Sequence, residues 1–147
     1  MKVLNAAVEG VRHNGKIKVF PKGAWDRSTK LSFRTDASTV NSCVVEEGDA
    51  TGNCVIETVT LDEAITEPIT YLRMYLDGPN GTRLKILRGG RRQITGNRPK
   101  ICVTISCDWE EEMVSILDYL RELVPDYRFY LRHHVKNSGM GSFLYAI

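Results

Sequence analysis

Apolar and polar positions follow a regular order in the second half of the chain. Apolar runs of strand length alternate with helical periods of apolar residues, at 69–76, 82–95, 99–106, 110–124, 127–135 and 142–147. A glycine-containing turn at 77–81 follows the first run. Strands that alternate with helices are typical of an α/β sheet with helices packed on it. Because such sheets bind ligands beyond the carboxyl ends of their strands, the pattern predicts a site at 75–81 and 106–109.

The first half of the chain has shorter periodic segments. The pattern predicts an amphipathic helix at 1–14 and strands at 16–20, 30–33 and 55–59. Thr60 and Glu63 have the spacing of a capping box, which predicts a short helix over 61–65. The segment 69–76 is almost continuously apolar, which is typical of a strand buried on both faces.

Composition restricts the class of protein. The chain has 147 residues with 42% hydrophobic residues, which predicts a single globular domain over 1–147. The 20 basic and 18 acidic residues give a net charge of +2, which argues against a nucleic-acid partner. A basic cluster falls on the predicted helix 82–95, at Arg83, Lys85, Arg88, Arg91 and Arg92. A solvated helix face is the favoured interpretation, and a phosphate-binding surface is the alternative.

The cysteines and the hydropathy pattern indicate the cellular compartment in which the protein is expected. None of the four cysteines forms a Cys-x-x-Cys pair, so no metal site is expected. Reduced thiols are favoured, and a Cys43–Cys54 bridge is the alternative. No apolar run approaches the roughly twenty residues of a membrane span, and the amino terminus has no signal-peptide pattern. We expect a cytoplasmic protein without membrane contact.

An ordered set of short motifs runs through the chain. These are PKGAWD from Pro21, LSF from Leu31, ETVTLDEAI from Glu57, TYLRMYLDG from Thr70, LKILRGGRRQI from Leu84, RPKICVTIS from Arg98, VPDYRFYLRHH from Val124 and FLYAI from Phe143. In this order and spacing the set resembles the FkbM-type family of S-adenosylmethionine-dependent methyltransferases. The resemblance extends over nearly all of the chain.

The resemblance implies a partial class I methyltransferase sheet, Rossmann-like and mostly parallel with an antiparallel hairpin at its carboxyl terminus. It makes 16–20 the third strand of the family, 69–76 the fourth and 99–106 the fifth. Nothing in the sequence matches the first two strands, with their glycine-rich turn and ribose-binding acid. The chain is therefore expected to be a truncated methyltransferase domain whose fourth strand has an open edge. A second copy or another partner would cover that edge.

The resemblance also implies site residues after the fourth and fifth strands. The family has an acidic pair in the strand-four turn, where this chain has Tyr75 and Asp77. Tyr75 is expected to contact the cofactor, and Asp77 to orient a ligand or accept a proton, with an ordinary turn residue as the alternative for Asp77. Asp108 stands where the family often has a histidine, and a helix N-cap is its alternative role.

Two further groups match family positions. Arg132 and His133 correspond to the family's Arg-His near the hairpin, and both are candidate catalytic residues. For His133 the alternatives are a general base and an ordinary strand-end hydrogen bond. The group at the end of the third strand lines the adenine pocket in class I methyltransferases, and here it is Gly23, Ala24, Trp25 and Asp26. The alternative for Trp25 is a side chain that covers the core.

The function implied by the resemblance is transfer of a methyl group from S-adenosylmethionine to a hydroxyl oxygen of a sugar or another small metabolite. Because the glycine-rich turn is missing, we expect weak cofactor binding or none, and whether the chain is an enzyme stays open. The alternative is a non-catalytic module that uses the same partial fold for dimerisation or partner binding.

Overall fold

The computed structural model describes residues 17–35, 43–45, 52–76, 81–105, 110–134 and 141–147. The predicted helix at 1–14, Asp77 and Asp108 lie outside these residues. The strands are β1 (Gly23–Ala24), β2 (Lys30–Arg34), β3 (Cys43–Val44), β4 (Cys54–Val59), β5 (Tyr71–Met74), β6 (Lys100–Ile105), β7 (Phe129–His133) and β8 (Ser142–Ala146). The helices are α1 (Leu61–Ala64), α2 (Thr82–Arg88), α3 (Arg91–Asn97) and α4 (Glu110–Leu123).

The described strands form two four-stranded sheets. The first has the order β1-β4-β2-β3, and the second has the order β5-β6-β8-β7. The β1–β4 and β5–β6 pairs are parallel, and the other four pairs are antiparallel. The predicted α/β class and the carboxyl-terminal hairpin are confirmed, and the described sheets are mixed because the first sheet and the hairpin contribute antiparallel pairs.

One face of the second sheet forms the core. Alternate residues of β5, β6 and β8 point to this face, and Ile101, Val103 and Leu144 are almost completely buried there. They pack against apolar residues of α2, α3 and α4, among them Leu87 and Ile116. The helical periods of the sequence therefore supply the layer that covers the sheet, as the pattern predicts.

The predicted helix at 82–95 is wrong in one respect, because the structure divides it into α2 and α3. The division falls at Gly89 and Gly90. A Cβ atom added at Gly89 would lie 2.0 Å from the backbone oxygen of Trp25, so the chain passes closest to another segment at this point. A glycine satisfies this contact, and helix propensity is lowest there.

Two strand predictions are also corrected. Residues 17–20 form no strand, and Lys18 instead makes an ion pair with Glu67 at 2.7 Å between Nζ and Oε1. Residues 69–76 give the shorter β5, which is not buried on both faces, since Tyr71 is 53% exposed. Within the described residues β5 pairs with β6 alone, so it is an edge strand and its outer face meets water.

The capping box is confirmed. The Thr60 side chain accepts a hydrogen bond from the Glu63 N–H, and the Glu63 carboxylate accepts one from the Thr60 N–H. This exchange starts α1. The proposed Cys43–Cys54 bridge is absent, because Cys54 is a free thiol and β2 lies between β3 and β4.

No helix within the described ranges has the length and apolar character needed to cross a bilayer.

Candidate active site

The carboxyl ends of β5, β6 and β7 lie at one edge of the second sheet. Met74 pairs with Val103 near the end of β5, and Ile105 at the end of β6 pairs with Ser142. Ser142 also pairs with His133, the last residue of β7. Asp77 follows β5 closely and Asp108 follows β6 closely along the chain. We call this edge of the sheet the carboxyl edge.

A buried ion pair lies behind the carboxyl edge, and the sequence analysis missed it. The guanidinium Nη1 of Arg83 donates to Glu112 Oε2 at 3.0 Å, and both side chains are completely buried. Arg83 Nη2 also donates to the carbonyl oxygen of Leu76 at 2.6 Å. The carbonyl just before Asp77 is thereby tied to the first turn of α4, so one pair joins the two segments that flank the predicted site.

The same pair replaces a helix cap. The N-cap of α2 is Gly81, which has no side chain to accept a bond from the first turn. The Arg83 N–H instead donates to Glu112 Oε1 at 2.9 Å. The carboxylate lies at the positive end of the helix dipole, where an anion is stabilised. A helix that begins with glycine and has no acid in its first turn could have indicated a cap from elsewhere in the chain.

The prediction of a solvated basic face is therefore wrong for Arg83, whose side chain is in the core. Arg92 is exposed, but its Nη2 donates to the backbone oxygen of Asp62 and its N–H donates to the Asp62 carboxylate. The basic cluster is not one continuous surface. The remaining exposed members are Lys85, Arg88 and Arg91.

The two predicted catalytic residues of the hairpin lie on opposite faces of the sheet. They are neighbours in β7, and successive side chains of a strand alternate between faces. His133 is exposed at the carboxyl edge, where its Nδ1 lies 2.9 Å from Ser142 Oγ. Arg132 points to the opposite face from His133 and lines a cavity with Tyr130. The structure places His133 at the carboxyl edge and separates Arg132 from it.

Tyr75 lies near the carboxyl edge and points into water. It is 68% exposed, and the Arg73 guanidinium carbon lies 5.9 Å from the centre of its ring. This arrangement leaves the phenol ring accessible to a ligand.

The residues predicted to line an adenine pocket, 23–26, do not lie at the carboxyl edge. Gly23 and Ala24 form β1, and Trp25 is buried in the core with Lys85 Nζ 4.9 Å from its ring centre. Trp25 contacts Gly89 at the end of α2, whereas Leu76 is bound near the start of that helix. The group therefore contacts the carboxyl-terminal end of α2, whereas the residue before Asp77 is bound by a side chain from the first turn of that helix.

Asp26 is the member of this group that could bind a ligand. Its Oδ1 is buried and accepts no hydrogen bond from any described residue. A buried acceptor without a donor is costly, so an N–H or O–H of a ligand would stabilise it. The position of Trp25 agrees with the interpretation that this side chain covers the core.

Burial raises the pKa of two tyrosines in the second half of the chain. Desolvation raises the pKa of Tyr119 on α4 and of Tyr127 before β7. Tyr127 donates its hydroxyl to the Pro99 carbonyl at 2.6 Å. These phenols are therefore neutral hydrogen-bond donors and not bases.

The described residues contain no group of three or more His, Cys, Asp or Glu side chains arranged to hold a metal ion. Among the described residues, the predicted catalytic side chain at the carboxyl edge is that of His133.

Comparison with known proteins places the fold. The crystal structure of the methyltransferase FkbM from Methylobacillus flagellatus KT superposes on 99% of this chain with a TM-score of 0.72. The fold is that of an FkbM-type methyltransferase. Sequence identity is 20%, and the chain spans about a third of that protein's length, since 32% of it is covered. No protein-family model matches the sequence, and no curated protein matches it.

The similarity confirms the fold implied by the sequence motifs. In the expected strand order the fourth strand has a neighbour on each side. β5, which corresponds to that strand, pairs on one side only among the described residues.

Proposed function

We propose that this chain is part of an S-adenosylmethionine-dependent methyltransferase that transfers a methyl group to a hydroxyl oxygen. The observation that carries the proposal is the FkbM-type fold over almost the whole chain. The free thiols of Cys54 and Cys102 agree with a cytoplasmic location.

The residues present could hold only part of the cofactor. Asp26 Oδ1 could accept a hydrogen bond from an amino group, and Tyr75 offers an exposed ring. The glycine-rich turn and the ribose-binding acid of the family have no counterpart in this sequence. We therefore expect weak cofactor binding by this chain or none.

The proposed chemistry assigns simple roles to the residues of the carboxyl edge. S-adenosylmethionine, when bound, supplies an electrophilic methyl group for an in-line displacement. The protein must align the acceptor hydroxyl and remove its proton. Asp77 or His133 would accept that proton, and the Arg83–Glu112 pair would fix the segment that contains Asp77. A sugar or another small polar metabolite is the proposed acceptor.

Calorimetric titration with S-adenosylhomocysteine tests the proposal. We expect binding weaker than micromolar that is lost in Asp26→Ala and kept in Asp118→Ala, an exposed carboxylate on α4. Equal binding by the unchanged chain and by Asp26→Ala would contradict the role proposed for Asp26. Low-micromolar affinity would instead show that the missing turn is not needed.

The alternative is a non-catalytic module that uses the unpaired side of β5 to form a dimer. The observation that favours it is the edge position of β5 within the described part of the chain, with Tyr71 and Tyr75 exposed beside it. Light scattering at micromolar concentration should then show a dimer, and a monomer with an ordered sheet would argue against this alternative.

A further inference from the structure

The two faces of the second sheet differ in chemistry. The face opposite the core has mainly aromatic and basic side chains, and we call it the tyrosine face. Strand register places on it Tyr71, Arg73, Lys100, Cys102, Thr104, Tyr130, Arg132, Phe143 and Tyr145. The described helices pack on the core face, and Tyr71 and Tyr130 are 53% and 42% exposed.

A cavity of about 310 Å³ lies on this face. It is lined by Tyr130, Arg132, Tyr145 and Ile147. Tyr130 and Tyr145 are directly paired between β7 and β8, and each of the other two residues lies two positions further along its chain. Side chains two apart share a face, so the hairpin register alone assembles this group.

The cavity and His133 lie on opposite faces of the sheet. Ile147 is at the end of the cavity near the start of β6, because it follows the end of β8 that pairs with Ile101. Arg132 is at the other end, directly before His133 in β7, and the His133 side chain points to the opposite face. The cavity therefore differs from the candidate active site in the face on which it opens.

Charge on the tyrosine face has one sign. The residues that register places there include two arginines and no aspartate or glutamate. Arg132 is absent from the five ion pairs found among the described residues. An exposed guanidinium with no carboxylate beside it is suited to a two-point contact with a carboxylate or phosphate.

The other residues that line the cavity are suited to the uncharged part of a ligand. The phenol rings of Tyr130 and Tyr145 offer surfaces for stacking, and Ile147 adds an aliphatic wall. Tyr145 is held by its hydroxyl, which lies 3.0 Å from His134 Nε2. Burial, and then a hydrogen bond with Cys102, raises the pKa of Tyr145, so its hydroxyl stays protonated near neutral pH.

We propose that this cavity binds a small ligand with a planar ring and an attached carboxylate or phosphate group. The rings of Tyr130 and Tyr145 would contact the planar part, and Arg132 would bind the anionic group. A volume of about 310 Å³ is at the lower end for ligand sites, which fits one ring with one anionic substituent. This inference does not depend on methyl transfer, and it gives Arg132 a binding role in place of a catalytic one.

Titration of the full chain with phenyl phosphate and benzoate, followed by amide NMR shifts, tests the proposal. We expect the largest shifts at Tyr130, Arg132, Tyr145 and Ile147. Cyclohexyl phosphate lacks the planar ring, and benzyl alcohol lacks the charge, so both should bind at least about fivefold more weakly, as the loss of one stacking contact or charge contact predicts.

Variants separate the two halves of the site. Arg132→Gln should weaken phenyl phosphate binding at least about tenfold, because it removes a charge-assisted contact. Tyr130→Leu should abolish the preference for phenyl over cyclohexyl phosphate. Arg88→Gln removes an exposed guanidinium from the helix layer and should change neither. Circular dichroism would check that each variant is folded.

Three results would overturn the proposal. They are no binding of either aromatic anion at millimolar concentration, equal affinity for inorganic phosphate and phenyl phosphate, and unchanged binding in Arg132→Gln. If a variant does not fold, the amide shifts of the unchanged chain test the proposal, because they should be largest at the residues that line the cavity.

Discussion

A buried ion pair links α2 to α4 and to the residues that follow β5. Arg83 and Glu112 have no access to water, and Arg83 also binds the Leu76 carbonyl. A buried charge is tolerated only with a partner and further hydrogen bonds, and here both conditions are met. The pair fixes the approach of the chain to Asp77.

Removing one member of this pair should destabilise the fold strongly. Arg83→Met leaves Glu112 buried without its partner, which should lower the free energy of unfolding by about 3–5 kcal/mol. The double variant Arg83→Met/Glu112→Leu leaves no isolated charge and should lose less than the single variant. Urea unfolding measures the free energy of unfolding of both variants. A double variant that is less stable than the single variant would contradict the role given to the isolated charge of Glu112.

Two glycines of the helix layer should respond oppositely to alanine. At Gly89 a Cβ would lie 2.0 Å from the Trp25 oxygen, and both groups belong to the backbone. Gly89→Ala should therefore cost about 2 kcal/mol or more. Gly96 in α3 has nothing within 4 Å of an added Cβ, so Gly96→Ala should stabilise by about 0.5–1 kcal/mol. Thermal unfolding of the two variants measures the contrast, and equal shifts would contradict it.

At the scale of elements, short contacts between chain segments decide where strands and helices begin and end. Contact with Trp25 divides one helical period into α2 and α3, and the capping box starts α1. Residues 17–20 alternate as a strand does, but they pair with no strand of the described residues, and Lys18 contacts Glu67 before β5. A periodic segment becomes a strand only where a neighbour is available to pair with it.

The Lys18–Glu67 contact predicts a pH dependence. The Lys18 hydrogen bond is the main cause that lowers the pKa of Glu67 from 4.5 to about 2. A lowered folded-state pKa stabilises the fold above the unfolded value, and this contribution is lost as pH falls from about 4.5 towards 2.

Lys18→Met should raise the pKa of Glu67 towards 4.5, which carboxyl NMR titration would measure. Glu63 is an internal control, because its pKa is lowered by hydrogen bonds with Ser28 and Thr60 and should stay unchanged. A Glu67 pKa that does not move in the variant would contradict the contact.

At the scale of the whole molecule, the second sheet is covered by described helices on one face. Among the described residues its two edge strands, β5 and β7, each pair on one side only. The fold of FkbM extends well beyond the part that this chain matches, since 32% of that protein is covered. In the class I strand order a further strand lies beside the one that β5 corresponds to, on the side that is unpaired among the described residues. An edge strand with exposed aromatic residues favours pairing with another chain.

Lysine substitution on this edge tests pairing. If a second copy covers β5, Tyr71→Lys/Tyr75→Lys should produce a monomer, because two added charges on each copy oppose close approach. Phe20→Lys/Ile17→Lys, at exposed apolar positions outside the second sheet, is the matched control and should leave the dimer intact. Light scattering would measure the oligomeric state of both variants. If Tyr71→Lys/Tyr75→Lys remains a dimer, the contact between the two copies does not involve β5.

The sequence by itself determined the order of elements in the carboxyl-terminal half, the capping box, the hairpin and the resemblance to FkbM methyltransferases. These features rest on local periodicity, turn residues and short motifs, which neighbouring residues fix. The position of His133 at a strand end follows from the same periodicity.

Only the tertiary structure decided which side chains meet. It buried Arg83 against Glu112 and placed Trp25 on Gly89. It also brought Tyr130, Arg132, Tyr145 and Ile147 around one cavity. These outcomes depend on strand register and on contacts between residues far apart in the chain. Periodicity along the sequence determines what a segment can form, and packing in three dimensions determines what it touches.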